Sequence, residues 1–479
     1  MTHKEALKRA NDEIARRQPL MKSAKMRQRY HFMPPTGWMN DPNGLIWFKG
    51  KYHFFYQFNP YAASWGAMHW GHAISVDLLH WEHLPVALAP SEPLYDLHDE
   101  GGCFSGTAIE KDGKLYLMYT GTSYHNDRPV QTQCLAVSED GIHFEKFSGN
   151  PVITPPDGYD TAHFRDPKVW KHESLFYLIF GAKKGDRGGA LLYSSENLTE
   201  WKFVNVLHES RGDLGYMWEC PDIFPMGDKY VLTFSPMGLG DRKAMYMVGD
   251  LDYETGKFFP ISSGEIDWGT DFYAPQSFLD KDGRRIMIAW ANGWDWMPWF
   301  KGWGPTDKEH WCGMLNLPRE VQMCDDLLLK FKPIEELKAL RHDAWVVDEM
   351  IVQKDAQLEI KMGDDISGEI LLEIDLSSST AGYFELLVRE SKIRFDLQKS
   401  EMSVLWGDNI TRSVFRRGEK RLQVHIFADK NTVEVFTDEY RTAHSCNVFA
   451  GESRCSLTAY DGDLNIKQLK TWGLMSTEG

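Results

Sequence analysis

The stretch GWMNDPNGLIWFKGKYHFFYQFNP, residues 37–60, changes from polar to apolar along its length. Trp38, Asn40 and Asp41 stand just before the Pro-Asn-Gly of residues 42–44. These polar residues could form a simple turn, since each type is common in turns. The apolar and aromatic residues that follow alternate around Lys-Gly-Lys at 49–51, which predicts a β-hairpin. The question is why a Trp, an amide and a carboxylate should precede that hairpin.

The same plan of two apolar runs around a short turn occurs four more times. The further stretches are GTAIEKDGKLYLMYTG from Gly106, PKVWKHESLFYLIFG from Pro167, PDIFPMGDKYVLTFSP from Pro221 and PQSFLDKDGRRIMIAW from Pro275. Three of the units continue with a Ser six positions before an aromatic residue, at Ser75/Trp81, Ser138/Phe144 and Ser195/Trp201. Four strands in each of five repeats predict an all-β chain with a five-bladed β-propeller. A long β-sandwich with accidental similarity between its hairpins is the alternative.

The pattern changes near residue 345. Short alternating strands at close spacing, such as GEILLEIDL, YFELLVRE and RLQVHIFADKNTVEVFTD, predict a β-sandwich. A helical pattern over residues 332–341 is a candidate linker. We therefore predict three parts: a helical N-terminal extension at residues 1–29, the propeller at 30–340 and the sandwich at 341–479.

Chemically active residues precede each of the five hairpins. They are Asp41; Phe104 and Ser105; Arg165 and Asp166; Glu219; and Asp271 with Tyr273. The innermost strands of a propeller begin around its central channel, so these residues are expected to converge in one funnel. Like charges and burial raise the pKa of at least one of several clustered carboxylates. Asp41, Asp166 and Glu219 could then divide the nucleophile and acid roles of glycoside hydrolysis. If each motif is only a turn that leads into a strand, no such site exists.

At these residues the chain resembles glycoside hydrolase family 32, the invertases and fructosidases. WMNDPNG at 38–44, FRDP at 164–167 and ECPD at 219–222 match the three signature motifs of that family, in order. FSGT at 104–107 is close to a fourth motif, and YQFNP, WGAMHWGHA and LPRE give further matches. The resemblance extends from Tyr30 nearly to the end of the chain.

The resemblance implies a propeller followed by a sandwich, and hydrolysis with retention of configuration. Asp41 would be the nucleophile, Glu219 the general acid and base, and Asp166 the stabiliser of the transition state. The positions implied in substrate binding are Trp38, Met39, Asn40, Gln57, Trp65, Phe104, Ser105, Arg165, Tyr273 and Trp294. The nearby Trp290 could replace Trp294 in that set. A retaining site needs its two carboxyl groups about 5–5.5 Å apart.

Composition limits the partners. The formal net charge is −16, from 53 Lys and Arg against 69 Asp and Glu, which argues against nucleic acid or an anionic membrane as partner. The chain lacks an apolar run long enough for a transmembrane helix, and its charged N-terminus lacks the apolar segment of a signal peptide. Seven scattered Cys without CxxC spacing predict neither a disulfide framework nor a zinc site. We expect a cytoplasmic protein that acts on a small sugar without a metal or cofactor; the oligomeric state is left open.

The sequence leaves the substrate subtype within the family open. A basic helical extension without a signal peptide resembles the bacterial sucrose-6-phosphate hydrolases of the family. An intracellular β-fructofuranosidase for sucrose or short fructo-oligosaccharides is the main alternative, and a propeller that binds carbohydrate without cleaving it is the alternative from another class. Lys183, Lys184 and Arg187, in the sequence GAKKGDRGG, are candidates for phosphate binding, although they could equally be a solvated basic loop.

Overall fold

The computed structural model of the chain describes residues 1–93, 95–240, 242–294, 304–362, 367–416, 420–449 and 454–477. These residues form an all-β protein with few helices, which confirms the predicted fold class. The helical segments described are α1 (His3–Arg17), α2 (Gly304–Asp307) and 3-10 turns at Gln18–Ser23, Glu335–Leu340 and Asp438–Tyr440. The turn at Glu335–Leu340 occupies the predicted linker.

The described residues before 334 form five antiparallel sheets, each opened by one of the five predicted hairpins. Sheet 1 contains β1 (Gly37–Phe48), β2 (Lys51–Asn59), β3 (His69–Ser75) and β4 (Trp81–Leu88). Sheet 2 contains β5 (Gly102–Lys111), β6 (Lys114–His125), β7 (Arg128–Ser138) and β8 (Glu145–Lys146). Sheet 3 contains β9 (Phe164–His172), β10 (Leu175–Lys184), β11 (Arg187–Ser195) and β12 (Lys202–Glu209).

The last two of the five sheets follow the same strand order. Sheet 4 contains β13 (Met217–Met226), β14 (Lys229–Met237), β15 (Met245–Asp252) and β16 (Lys257–Glu265). Sheet 5 contains β17 (Tyr273–Leu279), β18 (Arg285–Trp290), β20 (Arg319–Met323) and β21 (Leu329–Pro333). The short β19 (Trp311–Cys312) pairs in parallel with β1 and so returns the chain to sheet 1.

The first strands of the five sheets contact one another in a closed circuit. β1 contacts β5, β5 contacts β9, β9 contacts β13, β13 contacts β17, and β17 contacts β1 again. Apolar side chains fill the spaces between neighbouring sheets; Phe55 and Leu117 share one cluster, for example, and Ile179 and Phe234 share another. The five first strands therefore lie next to one another in sequence order, and the fifth lies next to the first.

Each first strand is interrupted where its sequence motif lies. In β1, residues 40 and 41 face the single residue 57 of β2, because Met39 pairs with Phe58 and Pro42 with Tyr56. The same two-against-one bulge occurs at residues 166–167, 220–221 and 274–275, and a related shift occurs at residue 105. Pro167, Pro221 and Pro275 each hold the second bulge position, and Pro42 directly follows the bulge of β1. A bulge tolerates proline because no ladder hydrogen bond is required there.

Two further sheets follow residue 340 and share one apolar core, the arrangement of a β-sandwich. Sheet 6 consists of β22 (Arg341–Val347), β34 (Leu464–Leu474), β25 (Gly368–Asp375), β30 (Arg421–Ala428), β31 (Thr432–Thr437) and β32 (Thr442–Asn447), with β23 (Met350–Val352) paired to β34. Sheet 7 consists of β24 (Gln357–Glu359), β33 (Cys455–Tyr460), β26 (Tyr383–Val388), β27 (Ser391–Asp396), β28 (Glu401–Trp406) and β29 (Asn409–Val414).

Helix α1 packs on the outer strand of sheet 1. A capping box formed by Thr2 and Glu5 begins the helix. Ala6 and Ala10 are its buried residues, and the backbone N–H of Val86 in β4 donates to Asn11 Oδ1 at 3.0 Å. The N-terminal extension therefore covers an edge strand that would otherwise be exposed.

Candidate active site

A cavity of about 240 Å³ opens where the first strands of the five sheets begin. Three carboxylates, an arginine and several aromatic rings line it. The lining residues are Asn40, Asp41, Gln57, Trp65, Glu100, Phe104, Ser105, Thr122, Tyr124, Pro129, Gln131, Ala162, His163, Arg165, Asp166, Glu219, Met237 and Trp294. Most of the residues predicted from the sequence motifs thus meet in one pocket.

Asp41 lies in the bulge of β1 and accepts three hydrogen bonds from side chains. Ser105 Oγ donates to Asp41 Oδ2 at 2.6 Å, Asn40 Nδ2 to Oδ1 at 3.0 Å, and Cys220 Sγ to Oδ2 at 3.5 Å. Burial raises the pKa of Asp41, the Ser105 hydrogen bond opposes that rise, and the negative charge of Glu219 adds to it. The carboxylate is fixed in one orientation, as an attacking group requires.

Asp166 occupies the first bulge position of β9, with a left-handed backbone at φ +68°. Aspartate tolerates this conformation better than most residues. Its backbone N–H donates to Thr120 Oγ1 at 2.9 Å, and its Oδ2 accepts the backbone N–H of Cys220 at 2.9 Å. Burial raises the pKa of Asp166; the charge of Arg165 opposes the rise, and those of Glu219 and Asp41 favour it.

Glu219 is held by two donors from neighbouring sheets. Arg165 approaches its Oε1 with Nε at 3.1 Å and Nη2 at 2.8 Å, and the phenol of Tyr273 donates to its Oε2. Arg165 is anchored in turn, because its Nη1 donates to Gln131 Oε1 at 3.2 Å and to the Ala162 carbonyl at 3.1 Å. Tyr273 does not line the cavity itself, but its hydroxyl contacts Glu219 directly.

The bulge register corrects the expected equivalence of the carboxylates. Each of four bulges contains the residue that directly precedes the motif proline, namely Asp41, Asp166, Cys220 or Ala274, and Ser105 is the bulged residue of β5. Glu219 lies one residue earlier and corresponds to Asn40, Phe104, Arg165 and Tyr273 in the other sheets. Because side chains alternate along a strand, this shift places Glu219 apart from the Asp41–Asp166 pair. The three carboxylates are neighbours without being structural equivalents.

Asp271, also expected at the entrance of the fifth sheet, lies elsewhere. Its Oδ2 accepts the backbone N–H of Asn447 at 2.8 Å, and its Oδ1 accepts Asn447 Nδ2 at 3.1 Å. Burial raises the pKa of Asp271 to about 7. Its partner is in the C-terminal sandwich, so Asp271 connects the two groups of sheets instead of lining the pocket.

Three aromatic residues supply apolar surface to the pocket. Trp65 and Phe104 meet edge to face with ring centroids 6.1 Å apart. Trp294 stacks on Trp38 at 6.2 Å, whereas Trp290 is fully buried. The pocket therefore contains Trp294, and Trp290 packs behind it with centroids 4.6 Å apart.

Two predicted substrate contacts, Trp38 and Met39, are core residues in the structure. Met39 is completely buried and packs in the apolar cluster that contains Phe54 and Tyr56. Since alternation along β1 points its side chain away from the pocket, the expected side-chain contact is corrected to a core position. Trp38 is also buried, and its Nε1–H donates to Asn40 Oδ1 at 2.8 Å. That bond leaves the Asn40 amide NH₂ free to hold Asp41.

Gln57 lines the pocket from β2, opposite the β1 bulge. Its Nε2 donates to the Cys103 carbonyl at 2.9 Å, and its side chain is nearly fully buried. Ser105, predicted with Phe104 from the second hairpin, serves as the donor to Asp41 described above.

Sequence reasoning missed the residues that orient the carboxylates and line the outer pocket. Cys220 donates through its thiol to Asp41 and through its backbone to Asp166, and burial raises the pKa of that thiol well above its usual range. Thr120 and Gln131 hold Asp166 and Arg165. Cys220 lies inside the ECPD motif, so that motif was the available signal. Thr120 and Gln131 could have been identified only from the pairing register of their strands.

This arrangement can perform acid–base and nucleophilic chemistry on a small molecule. It combines an oriented carboxylate, a second carboxyl held by Arg165 and Tyr273, and flat rings that suit sugar faces. Over the described ranges, no group of three or more His, Cys, Asp or Glu side chains is placed to hold a metal ion. The described residues also include no helix long and apolar enough to cross a membrane.

Comparison with known proteins finds similar sequences and a similar solved structure. Residues 31–333 match the sequence model of the glycosyl hydrolases family 32 N-terminal domain, and residues 336–473 match that of the glycosyl hydrolases family 32 C-terminal domain. A sucrose-6-phosphate hydrolase of Escherichia coli is 38% identical, with 90% of this chain and 91% of the relative covered. A raffinose invertase of the same species is 38% identical, with 93% and 94% covered. The solved GH32 β-fructofuranosidase of Bombyx mori superposes with a TM-score of 0.84 at 33% identity, covering 99% of each chain.

Proposed function

Because this chain belongs to glycoside hydrolase family 32 and is a glycoside hydrolase, we propose that it cleaves the β-fructofuranosidic bond of sucrose 6-phosphate, and of sucrose, and releases fructose. The observation that carries the proposal is the convergence of Asp41, Asp166 and Glu219 in one pocket beside aromatic rings. Relatives named sucrose-6-phosphate hydrolase, at 36–38% identity over most of the chain, support the phosphorylated substrate.

In the first step Asp41 is the nucleophile. One carboxylate oxygen attacks C2 of the fructosyl unit while the bond from C2 to the glycosidic oxygen breaks. Glu219 gives its proton to that oxygen, so the glucosyl group leaves as a neutral alcohol. The products are a fructosyl ester on Asp41 and an ionised Glu219.

In the second step water replaces the departed sugar. Glu219 removes a proton from this water, whose oxygen attacks C2 and breaks the ester to Asp41. Fructose leaves with its original configuration after two inversions. Glu219 is protonated again, and Asp41 returns to its carboxylate form.

The remaining residues bind and orient the fructosyl unit. We assign Asp166 to its hydroxyl groups, where a fixed carboxylate stabilises the oxocarbenium-like transition state. Asn40, Gln57 and Arg165 supply polar contacts in our assignment, and Trp65, Phe104 and Trp294 supply apolar surface. Ser105 and Tyr273 act through Asp41 and Glu219, to which they donate hydrogen bonds.

We further propose that the five sheets before residue 334 are the blades of a five-bladed β-propeller. The closed circuit of contacts among their first strands supports this arrangement. The proposed domain boundaries, 1–29, 30–340 and 341–479, fit the family matches at 31–333 and 336–473. The same proposal places the protein in the cytoplasm, which its seven free cysteines support.

A β-fructofuranosidase for sucrose and short fructo-oligosaccharides is the second candidate. The similarity to a raffinose invertase favours it, since that relative is named for a substrate without phosphate. The catalytic residues would be the same under either assignment. A propeller that only binds carbohydrate is disfavoured, because Asp41 and Glu219 are both present and oriented.

The test is a comparison of kcat/KM for sucrose 6-phosphate, sucrose and 1-kestose by the purified full chain. Release of fructose from either disaccharide supports the proposed hydrolysis, and the ratio of rates assigns the subtype. Absence of fructose release from all three sugars, with a native circular dichroism spectrum, contradicts it.

A further inference from the structure

If the proposed function holds, the pocket must have two parts: one for the fructosyl unit, called the inner part, and one for the leaving group, called the outer part. The inner part contains Asp41 and Asp166, which act on the fructosyl unit. Glu219 protonates the oxygen that joins the two sugars, so the leaving glucosyl group lies on the Glu219–Arg165 side. His163 lines the cavity on this side, next to Arg165.

His163 presents a hydrogen-bond donor to this region. Its Nδ1 lies 3.3 Å from Arg165 Nη1, and since arginine only donates, Nδ1 is the acceptor and the proton is on Nε2. Burial, followed by the charge of Arg165, lowers the pKa of His163 to about 4, which keeps the ring neutral near pH 7. Among the described residues Nε2 has no hydrogen-bond partner. The imidazole therefore offers one N–H group at the outer part of the pocket.

Lys183 does not line the cavity, but its positive charge acts on this imidazole and also lowers the pKa of His163. Its backbone N–H donates to the His163 carbonyl at 3.0 Å, which fixes the start of its side chain. Its ammonium lies over the ring of Tyr216, 5.1 Å from the centroid, and that ring meets the His163 ring edge to face at 5.7 Å. The only carboxylate within salt-bridge range of Lys183 among the described residues is Asp160, at 3.9 Å. This contact is long and partly exposed, so it is weak.

We propose that His163 Nε2–H and the Lys183 ammonium together bind the phosphate of a phosphorylated leaving group. The pair combines a neutral donor with a full positive charge, a suitable combination for a phosphate dianion. It also provides local attraction on a protein whose net charge of −16 would repel such a substrate at long range. The inference rests on the proposed function, because it needs a leaving group on the Glu219 side.

Lys184, the next candidate for phosphate binding, points to the opposite face of β10 from Lys183. Consecutive side chains on β10 point to opposite faces, and the Lys184 ammonium lies over the ring of Tyr159, 5.2 Å from its centroid. Arg187 is an exposed residue beside the turn at 185–186 that joins β10 and β11. Of the three basic residues of this loop, Lys183 is therefore the best candidate for phosphate binding, and a variant of Lys184 is the matched control.

The test compares Lys183→Met with Lys184→Met in the full chain. Methionine is unbranched and keeps most of the length of the lysine side chain, but it removes the charge. The quantity measured is kcat/KM for sucrose 6-phosphate divided by kcat/KM for sucrose, at low and at high salt. Damage to folding lowers both terms equally and cancels from this ratio.

We expect wild type to favour the phosphorylated sugar at low salt. Lys183→Met should reduce that preference by about 10-fold, because a hydrogen bond to a charged group usually contributes about that factor to binding. Lys184→Met should leave the ratio within about twofold, and high salt should lower the ratio of wild type more than that of Lys183→Met. His163→Asn should lower the ratio as well.

Equal ratios for the two lysine variants, or a wild-type ratio near one at low salt, would overturn the inference while leaving fructoside hydrolysis intact. Failure of wild type to cleave either sugar would instead contradict the proposed function.

Discussion

At the scale of single residues, the site depends on how three carboxylates share a small buried volume. Burial raises the pKa of both Asp41 and Asp166, and the charge of Glu219 adds to each rise. Different hydrogen-bond donors distinguish Asp41 from Glu219. Asp41 accepts from Ser105, whereas Glu219 accepts from Arg165 and Tyr273.

Replacement of Asp41 by Asn tests the nucleophile. The variant keeps the shape of the side chain but cannot form the fructosyl ester, so kcat should fall by several orders of magnitude while the circular dichroism spectrum stays native. Activity within about tenfold of wild type, equivalent to about 1.4 kcal/mol, would exclude Asp41 from this role.

Replacement of Glu219 by Gln tests the general acid. Protonation matters most when the leaving group is a poor one, so the variant should lose much more rate on sucrose than on a fructoside with an activated aryl leaving group. The ratio of the two losses is the measurement. Similar losses on both substrates would show that Glu219 does not act as the acid.

The Ser105 hydrogen bond should set the acidic limb of the pH profile. Asp41 must be ionised to attack, and this bond lowers the pKa of Asp41 against the effect of burial. Ser105→Ala removes the bond, so the pKa should rise and the acidic limb of kcat/KM should move to higher pH. Ser138→Ala is the control and should leave the limb in place, because this hydroxyl ends β7, donates to Asp140 and does not line the pocket. A limb that moves to lower pH in Ser105→Ala would contradict the assignment.

At the scale of elements, the bulges decide which side chains reach the pocket. The hairpins and their carboxylates could be predicted, because alternating apolar residues and turn chemistry are local properties. The register of a bulge is not local, since it depends on how β1 pairs with β2 or β13 with β14. For that reason the sequence alone places Glu219 one position away from its true register, and it predicts a pocket contact for Met39, whose side chain lies in the core.

The loop between β2 and β3 carries Trp65 into the pocket. The Asn59 side chain braces this loop, with Nδ2 donating to the Ser64 carbonyl at 2.9 Å and Oδ1 accepting the Tyr61 N–H at 3.0 Å. From α1, the Arg9 guanidinium lies over the Tyr61 ring, 5.1 Å from the centroid. The N-terminal extension thus reaches the loop, a contact that sequence patterns could not indicate.

Trp65→Ala should therefore raise KM or lower kcat with little change in melting temperature, because the loop is braced without the indole. Trp70→Ala is the matched comparison, since Trp70 is completely buried in β3. It should cost about 3–5 kcal/mol of stability. Thermal melts together with sucrose kinetics distinguish the two cases. A large drop in melting temperature for Trp65→Ala with unchanged kinetics would make Trp65 a core residue.

At the scale of the whole molecule, a buried charged cluster joins the segment before β1 to the C-terminal sheets. His31 Nδ1 lies 2.9 Å from Asp429 Oδ2, and His31 Nε2 lies 3.1 Å from Glu434 Oε1. Arg319 of sheet 5 also donates to Glu434, at 2.7 Å. These residues are up to 403 positions apart, so nothing in the local sequence could predict the cluster.

The pKa values of this cluster predict how stability depends on pH. Burial alone would lower the pKa of His31, but the two carboxylates outweigh it and raise that pKa to about 9. Burial alone would raise the pKa values of Asp429 and Glu434. His31 outweighs burial at Asp429 and lowers its pKa to about 2. Arg319 and His31 together lower the pKa of Glu434 to about 2. The His31 contribution is complete below its unfolded pKa of 6.5 and is lost as pH rises through about 9. The carboxylate contributions are complete above about pH 4.5 and are lost as pH falls through about 2.

His31→Ala should consequently reduce the free energy of unfolding by about 3–5 kcal/mol near pH 6, because it leaves two buried carboxylates without their shared partner. The loss should shrink as pH rises past about 9, where wild type also loses the interaction. Urea unfolding at several pH values measures both effects. A loss that is the same at pH values on either side of 9 would contradict a charged His31.

The central claim is that Asp41 forms a covalent bond to fructose during hydrolysis. The most direct measurement is mass spectrometry of Glu219→Gln after brief reaction with an activated aryl fructoside, since this variant lacks the base that releases the intermediate. We expect an added fructosyl unit on the peptide that contains Asp41, and its absence when Asp41 is also replaced by Asn. A fructosyl unit on a different residue, or turnover of the aryl fructoside with no adduct and with inversion of configuration, would contradict it.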